Sequence, residues 1–226
     1  MYTQAEVAAT IDHAVLKPEL TDRDVCEAAR MCRERGVCAL CVRPGDVALA
    51  ARELAGSGTK VCAVIGFPHG ANRPEVKALE ARLALADGAV ELDMVMNIGR
   101  FLSGDDVAVQ KDIEAVVTEA HAKGAIVKVI LETCLLTPGQ IAAACLIAKR
   151  AGADFVKTST GFASGGATPE AIAIMVKTVG DKLQVKASGG IRDWAGAVAY
   201  LGQGCTRLGI GATETVLDGG IASASY

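Results

Sequence analysis

Long apolar runs are missing from this 226-residue sequence. Segments such as Val61–Phe67 and Ala125–Leu131 are short and end in charge, Gly or Pro, well below the roughly 20 residues of a membrane-spanning helix. The first residues, Met1-Tyr2-Thr3-Gln4-Ala5-Glu6, lack the basic and apolar regions of a signal peptide, so a cytoplasmic location is expected. There is no basic excess: 23 Lys and Arg stand against 26 Asp and Glu, which excludes the broad positive field of a non-specific nucleic-acid binder. The 25 glycines follow no collagen-like period, and the 51% hydrophobic content is far too high for a disordered chain. Aromatics make up only 4%, leaving Ala, Val, Ile and Leu to fill a core.

Metal-ligand spacing is missing too. Eight cysteines are present, but no second Cys-x-x-Cys or His-x-x-x-His accompanies Cys38-Ala-Leu-Cys41, and on a strand that odd offset turns the two thiols to opposite faces. Most are read as small buried hydrophobes in a reducing compartment, and neither a metal nor a cofactor is expected.

What the sequence does have is a rhythm. Amphipathic stretches end in glycine, at Gly36, Gly56 or Gly58, Gly88, Gly124, Gly152, Gly180 and Gly204, and a short β-branched run follows each. The runs are Val37–Val42, Lys60–Phe67, Ala89–Val95, Ile126–Glu132, Ala153–Ser159, Leu183–Ser188 and Thr206–Gly211, which with Ala9–His13 at the start predicts about eight strands. Thr21-Asp-Arg-Asp24, Thr137-Pro138 and Thr168-Pro169 read as helix starts. Nearly all-apolar strands alternating with helices imply a parallel sheet covered on both sides, and eight such units suit a single-domain (β/α)8 TIM barrel over residues 1–226. An open doubly wound sheet fits less well, because no Gly-x-Gly-x-x-Gly follows the first strand. The tail from about residue 221 is small and polar and is expected to be mobile.

A barrel of this kind carries its active site at the C-terminal ends of the strands. Charges interrupt the runs there: Glu91-Leu-Asp93, Glu132, Lys157 in Asp154-Phe-Val-Lys-Thr-Ser-Thr, and Lys186-Ala-Ser. Each lysine taken alone is accounted for by an internal salt bridge. Two lysines and a carboxylate at one mouth make the constellation that carbonyl chemistry uses, since a second cation and desolvation favour the neutral, nucleophilic amine and a carboxylate relays protons. Three glycine turns, Thr158-Ser-Thr-Gly161, Ser188-Gly-Gly-Ile-Arg192 and Gly209-Ile-Gly211, offer backbone donors for a phosphate.

The ordered set Ile11-Asp-His-Ala-Val-Leu-Lys-Pro18, Val64-Ile-Gly-Phe-Pro68, Glu91-Leu-Asp-Met-Val95, Val127–Glu132, Phe155-Val-Lys-Thr-Ser-Thr-Gly161 and Val185-Lys-Ala-Ser-Gly-Gly-Ile-Arg192 resembles the deoxyribose-phosphate aldolases. That resemblance covers nearly the whole chain. It implies a class I aldolase that cleaves 2-deoxy-D-ribose 5-phosphate without a cofactor, with Lys157 as the Schiff-base lysine, Lys186 as the second lysine and Asp93 as the proton relay. It also implies Asp12 near the substrate hydroxyls, and phosphate binding at Thr160, Gly161, Gly189, Gly190 and Gly209, with Arg192 a weaker candidate. A small phosphorylated sugar is the expected partner, with no nucleic acid or membrane, and a homo-oligomer, a dimer by the same resemblance. Gly211 and Ala212 stand where the family often has hydroxyls, Ala14 where threonine is common, and His69 where leucine is usual; His69 reads as a solvent-facing loop residue. Tyr226 matches a terminal tyrosine that some members use to assist enamine protonation. A different Schiff-base aldolase, or a barrel that keeps the fold without catalysis, are the alternatives.

Overall fold

A computed structural model describes residues 2–223, so Tyr226 lies outside the described residues. Eight parallel strands close a barrel in sequence order: β1 (Ile11–Val15), β2 (Ala39–Val42), β3 (Lys60–Ile65), β4 (Glu91–Val95), β5 (Ile126–Ile130), β6 (Phe155–Lys157), β7 (Gln184–Ser188) and β8 (Arg207–Ile210), with β8 pairing back onto β1. The helices are α1 (Gln4–Ala8), α2 (Asp22–Arg35), α3 (Val47–Glu53), α4 (Pro74–Ala86), α5 (Ile98–Leu102), α6 (Asp106–His121), α7 (Pro138–Arg150), α8 (Pro169–Val179), α9 (Trp194–Gly202) and α10 (Thr213–Leu217). None of them is long and apolar enough to cross a membrane.

Local chemistry sets the element ends. Thr21 and Asp24 form a capping box at the start of α2, and Thr137 and Thr168 accept backbone N–H groups ahead of the prolines that open α7 and α8. Gly36 ends α2 in the left-handed conformation, at a φ of 66°.

Period-2 alternation then divides the strand residues. Leu40, Ala63, Leu92, Val129, Val156 and Leu208 point outward, are fully buried, and join the helices in one large apolar core. A second, smaller cluster of Leu16, Ala39, Cys41, Cys62 and Val64 lies inside the barrel on the β1–β3 side.

Two expectations change. Strand five stops at Ile130 rather than Glu132, because Glu132 takes a left-handed conformation, at a φ of 57°, that no strand continues through. The tail is tied down at its start: Ala222 is buried and its N–H donates to the Arg192 carbonyl at 2.9 Å, although Ile221 is exposed.

Candidate active site

Inward-facing residues of alternate strands stack in layers, as barrel interiors do. The lowest layer holds Ala39, Glu91, Phe155 and Arg207; the next Asp12, Cys62, Lys128 and Lys186; the one above Cys41, Asp93, Lys157 and Gly209. Seven of these twelve side chains are ionisable as acid or strong base, and all seven are buried.

Asp93 is the hub. Its Oδ2 lies 2.7 Å from Lys157 Nζ and 2.7 Å from Lys186 Nζ, while Oδ1 accepts from Lys128 Nζ at 2.8 Å and from the Cys62 thiol at 3.1 Å. Lys186 also pairs with Asp12, and Lys128 with Glu91 Oε2 at 2.6 Å. Below, the Arg207 fork grips both acids: Nε donates to Asp12 Oδ1 at 2.8 Å and Nη2 to Glu91 Oε2 at 2.7 Å. Half-exposed Lys60 reaches Glu91 from the floor at 3.4 Å.

Lys157 differs from the other lumen lysines in its partners. Lys128 and Lys186 each hold two or more carboxylates, whereas among the described residues the ion pairing of Lys157 is to Asp93 alone. Four buried cations, Lys128, Lys157, Lys186 and Arg207, face three carboxylates inside the barrel, Asp12, Glu91 and Asp93, with a fourth buried carboxylate, Glu132, just above them.

Burial by itself would raise the Asp93 pKa, but Lys128, Lys157 and Lys186 outweigh it and hold the carboxyl well below its usual range. Asp12 is lowered likewise, its burial overcome by Lys186, Lys128 and Arg207. Burial pulls Lys186 down, yet Asp12 and Asp93 win and raise it, so this second amine stays protonated. Lys128 is also raised, with Asp93 leading the groups that overcome its burial.

At the mouth, the ends of β6 and β7 are zipped together. Thr158 Oγ1 donates to the Ser188 carbonyl at 2.9 Å and accepts the Ser188 N–H at 2.9 Å, and Ser188 Oγ donates to the Ser159 carbonyl at 2.6 Å. The two following loops then touch backbone to backbone: a Cβ on Gly166 would lie 2.3 Å from the Gly189 carbonyl oxygen, and Gly189 itself sits at a φ of 84°. Only glycine fits at either position.

The DeoC/LacD family aldolase profile matches residues 6–200. The chain is 48% identical over 220 residues to a deoxyribose-phosphate aldolase of Geobacillus sp. (strain WCH70), covering 97% of this chain and 98% of that one. A deoxyribose-phosphate aldolase of Clostridium perfringens (strain 13 / Type A) is 49% identical over 221 residues, with 98% of each covered. This chain belongs to the DeoC/LacD aldolase family. Among solved structures, the tetrameric deoxyribose phosphate aldolase of Aeropyrum pernix superposes with a TM-score of 0.90 at 34% identity, covering 96% of this chain and 91% of that one. The TIM barrel expected from the sequence is the family's fold, and the family is one of carbon–carbon lyases.

The structure brings Asp93, Lys157 and Lys186 together around one carboxylate oxygen. Gly161, Gly189, Gly190 and Gly209 follow or end β6, β7 and β8 at the same mouth. Thr160 lies there too, but its N–H and hydroxyl are both directed at Glu132, so its donors are spent within the protein. Asp12 sits a layer lower, fully buried and engaged by Lys186 and Arg207, so it touches Lys186 rather than facing the mouth. Arg192 and His69 are exposed.

Sequence reasoning missed Lys128, Arg207 and Cys62 as members of the network. Lys128 had a readable signal, an inward register in Ile126-Val-Lys-Val-Ile130, whereas Arg207 at a strand start resembles any surface arginine. Cys41 Sγ, Cys62 Sγ and a carboxylate oxygen of Asp93 lie within 4.8 Å of one another, a set assembled from three strands and visible in no local spacing.

Proposed function

We propose that this chain catalyses the reversible retro-aldol cleavage of 2-deoxy-D-ribose 5-phosphate to D-glyceraldehyde 3-phosphate and acetaldehyde, with Lys157 forming the Schiff base. The observation that carries the reading is the pairing of Lys157, among the described residues, with Asp93 alone, beside a Lys186 held protonated by two carboxylates. The amine with the fewest carboxylate tethers, held 2.7 Å from a proton-relaying carboxylate, is the one placed to attack.

The steps follow from that geometry. Neutral Lys157 adds to the C1 aldehyde of the open-chain sugar, and loss of water gives an iminium. A base takes the C3 hydroxyl proton, relayed to Asp93 through water with Lys186 steadying the charge. The C2–C3 bond then breaks, its electron pair flowing into the iminium to form an enamine, and glyceraldehyde 3-phosphate departs. Protonation of the enamine at C2 and hydrolysis release acetaldehyde and restore the amine. Asp12 acts through Lys186, which it holds in place. The glycine backbone at Gly161, Gly189 and Gly190 supports phosphate binding, because N–H groups at turns without side chains approach an anion closely, and Gly209 near the end of β8 adds no side chain to obstruct it. By analogy with its tetrameric relative, the chain is read as a homo-oligomer, and a sedimentation mass equal to a single chain would remove that part.

Borohydride reduction with deoxyribose 5-phosphate tests the reading. An acetaldehyde-derived adduct on Lys157, found by peptide mass spectrometry and absent in Lys157→Ala, is expected. No adduct, or one placed on Lys128 or Lys186, overturns the assignment.

A further inference from the structure

Glu132 is unused by the chemistry above, yet it carries several unusual features at once. It is the one non-glycine residue among those described with a positive φ, 57°, a conformation costly for any residue with a β carbon. It is 2% exposed, and burial raises its pKa against the lowering effect of its Thr160 hydrogen bonds. Its flanks are pinned to the end of β6: Leu131 N–H donates to the Lys157 carbonyl at 2.9 Å and Thr133 N–H to the Thr158 carbonyl at 3.0 Å.

Between those two pins the left-handed turn throws the side chain towards the next loop. The carboxylate accepts the Thr160 N–H at 3.3 and 3.4 Å and the Thr160 hydroxyl as well. The same hydroxyl oxygen accepts the Phe162 N–H at 3.0 Å. The Phe162 ring meets Phe67 edge to face, with centroids 5.2 Å apart, and both rings line an apolar cavity of about 400 Å³ with Leu16 and Val64. A continuous path therefore runs from Glu132 through Thr160 to the aromatic wall, alongside the backbone that carries Lys157.

We infer that Glu132 is a positioning residue that clamps the 157–162 segment through Thr160, fixing Lys157 and the Phe67–Phe162 wall relative to each other. It acts without touching substrate. The strained backbone persists because only that turn aims the carboxylate at Thr160 while leaving both flanking N–H groups on β6. A second consequence concerns the phosphate: with both Thr160 donors committed to Glu132, the anion falls to the glycine N–H groups.

This inference rests on the aldolase reading, and a single set of kinetics separates the two. Wild-type enzyme that fails to cleave deoxyribose 5-phosphate overturns the aldolase reading itself. With wild type active, E132A is expected to lose about 100-fold in kcat with a smaller change in KM, the scale of a misplaced reacting group. E132Q, which keeps an acceptor for the Thr160 hydroxyl, regains most of it. E132G relieves the backbone strain and still loses as much as E132A, which assigns the effect to the carboxylate. T160V falls by a similar factor, and the E132Q/T160V and E132A/T160V doubles fall no further than T160V alone, since one clamp is broken once. Wild-type kcat in E132A, or losses that multiply in the doubles, overturns the clamp. Should E132A not fold, E132Q, T160V and their double decide the matter in the same way.

Discussion

On β4, Leu92 and Met94 face the helices, and Glu91 and Asp93 face the lumen. The same contrast repeats on β5, where Val127 and Val129 look out and Lys128 looks in, and on β8, where Leu208 looks out and Arg207 looks in. On these three strands one side follows the hydrophobic effect, and the other violates it but compensates each charge with a partner. Burying a lone ion costs several kcal/mol or more, so a lumen this polar persists only as a mutually paired set. Stability and chemistry are thereby assigned to alternate residues of one chain, and each can be perturbed with limited effect on the other.

The largest test of that separation lies on the inward side. Asp93→Asn removes the carboxylate charge shared by three lysines, and aldol cleavage is expected to fall by about 10³-fold or more, the scale of a lost acid–base group, in a steady-state assay. Leu92→Ala, one residue away and pointing outward, should do the reverse. Its expected cost is about 2–5 kcal/mol in urea unfolding, with kcat and its pH profile unchanged at temperatures where the variant is folded. An inward-type loss of kcat in Leu92→Ala would break the comparison.

A pH experiment sharpens it. His13 follows inward-facing Asp12, points outward, and lies 2.8 Å from Thr213 Oγ1 of α10; burial holds its pKa down at about 4, against 6.5 for the free side chain. The unfolded chain therefore binds a proton below pH 6.5 that the folded chain refuses until about pH 4. Stability is lost as pH falls through that window, by about 3 kcal/mol in all. Taken as the difference between wild type and His13→Gln, the pH dependence should vanish in the variant. Asp12 and Asp93 have depressed pKa values, so their contribution is lost only at still lower pH.

The smallest effect is expected where charge sits on the outward side. Lys77 of α4 and Asp112 of α6 form a buried pair at 2.6 Å, with Lys77 also donating to the Val95 carbonyl at 2.9 Å. Burial lowers Lys77 and raises Asp112, both shifts disfavouring the charged forms. The double replacement Lys77→Met with Asp112→Leu should be neutral or stabilising by about 1–4 kcal/mol in thermal unfolding, with activity unchanged. No inward pair should tolerate that exchange.

Much of this division was legible in the sequence. Helix-ending glycines, Thr-Pro starts and aliphatic runs located every strand to within a few residues, and charges interrupting those runs picked out Asp93, Lys157 and Lys186. Those signals work because they are local. Arg207 and Cys62 escaped because their meaning depends on which strands close on which, and barrel closure is a long-range event with no mark in the neighbouring residues. The end of β5 was misjudged for a related reason: the left-handed turn at Glu132 goes with a side-chain bond to Thr160, 28 positions away.

The lumen is also lopsided. Inside the barrel, β2 and β3 contribute Ala39, Cys41, Cys62 and Val64, whereas the fully buried ionised groups among the described residues come from β1 and β4–β8, with half-exposed Lys60 of β3 reaching Glu91 only at the floor. A flat carbonyl entering such a mouth meets two unlike walls, its oxygens drawn to the ammonium groups and its hydrocarbon edge to the aliphatic and thiol side. Which edge of the carbonyl turns towards the ammonium groups is thereby set before a covalent bond forms.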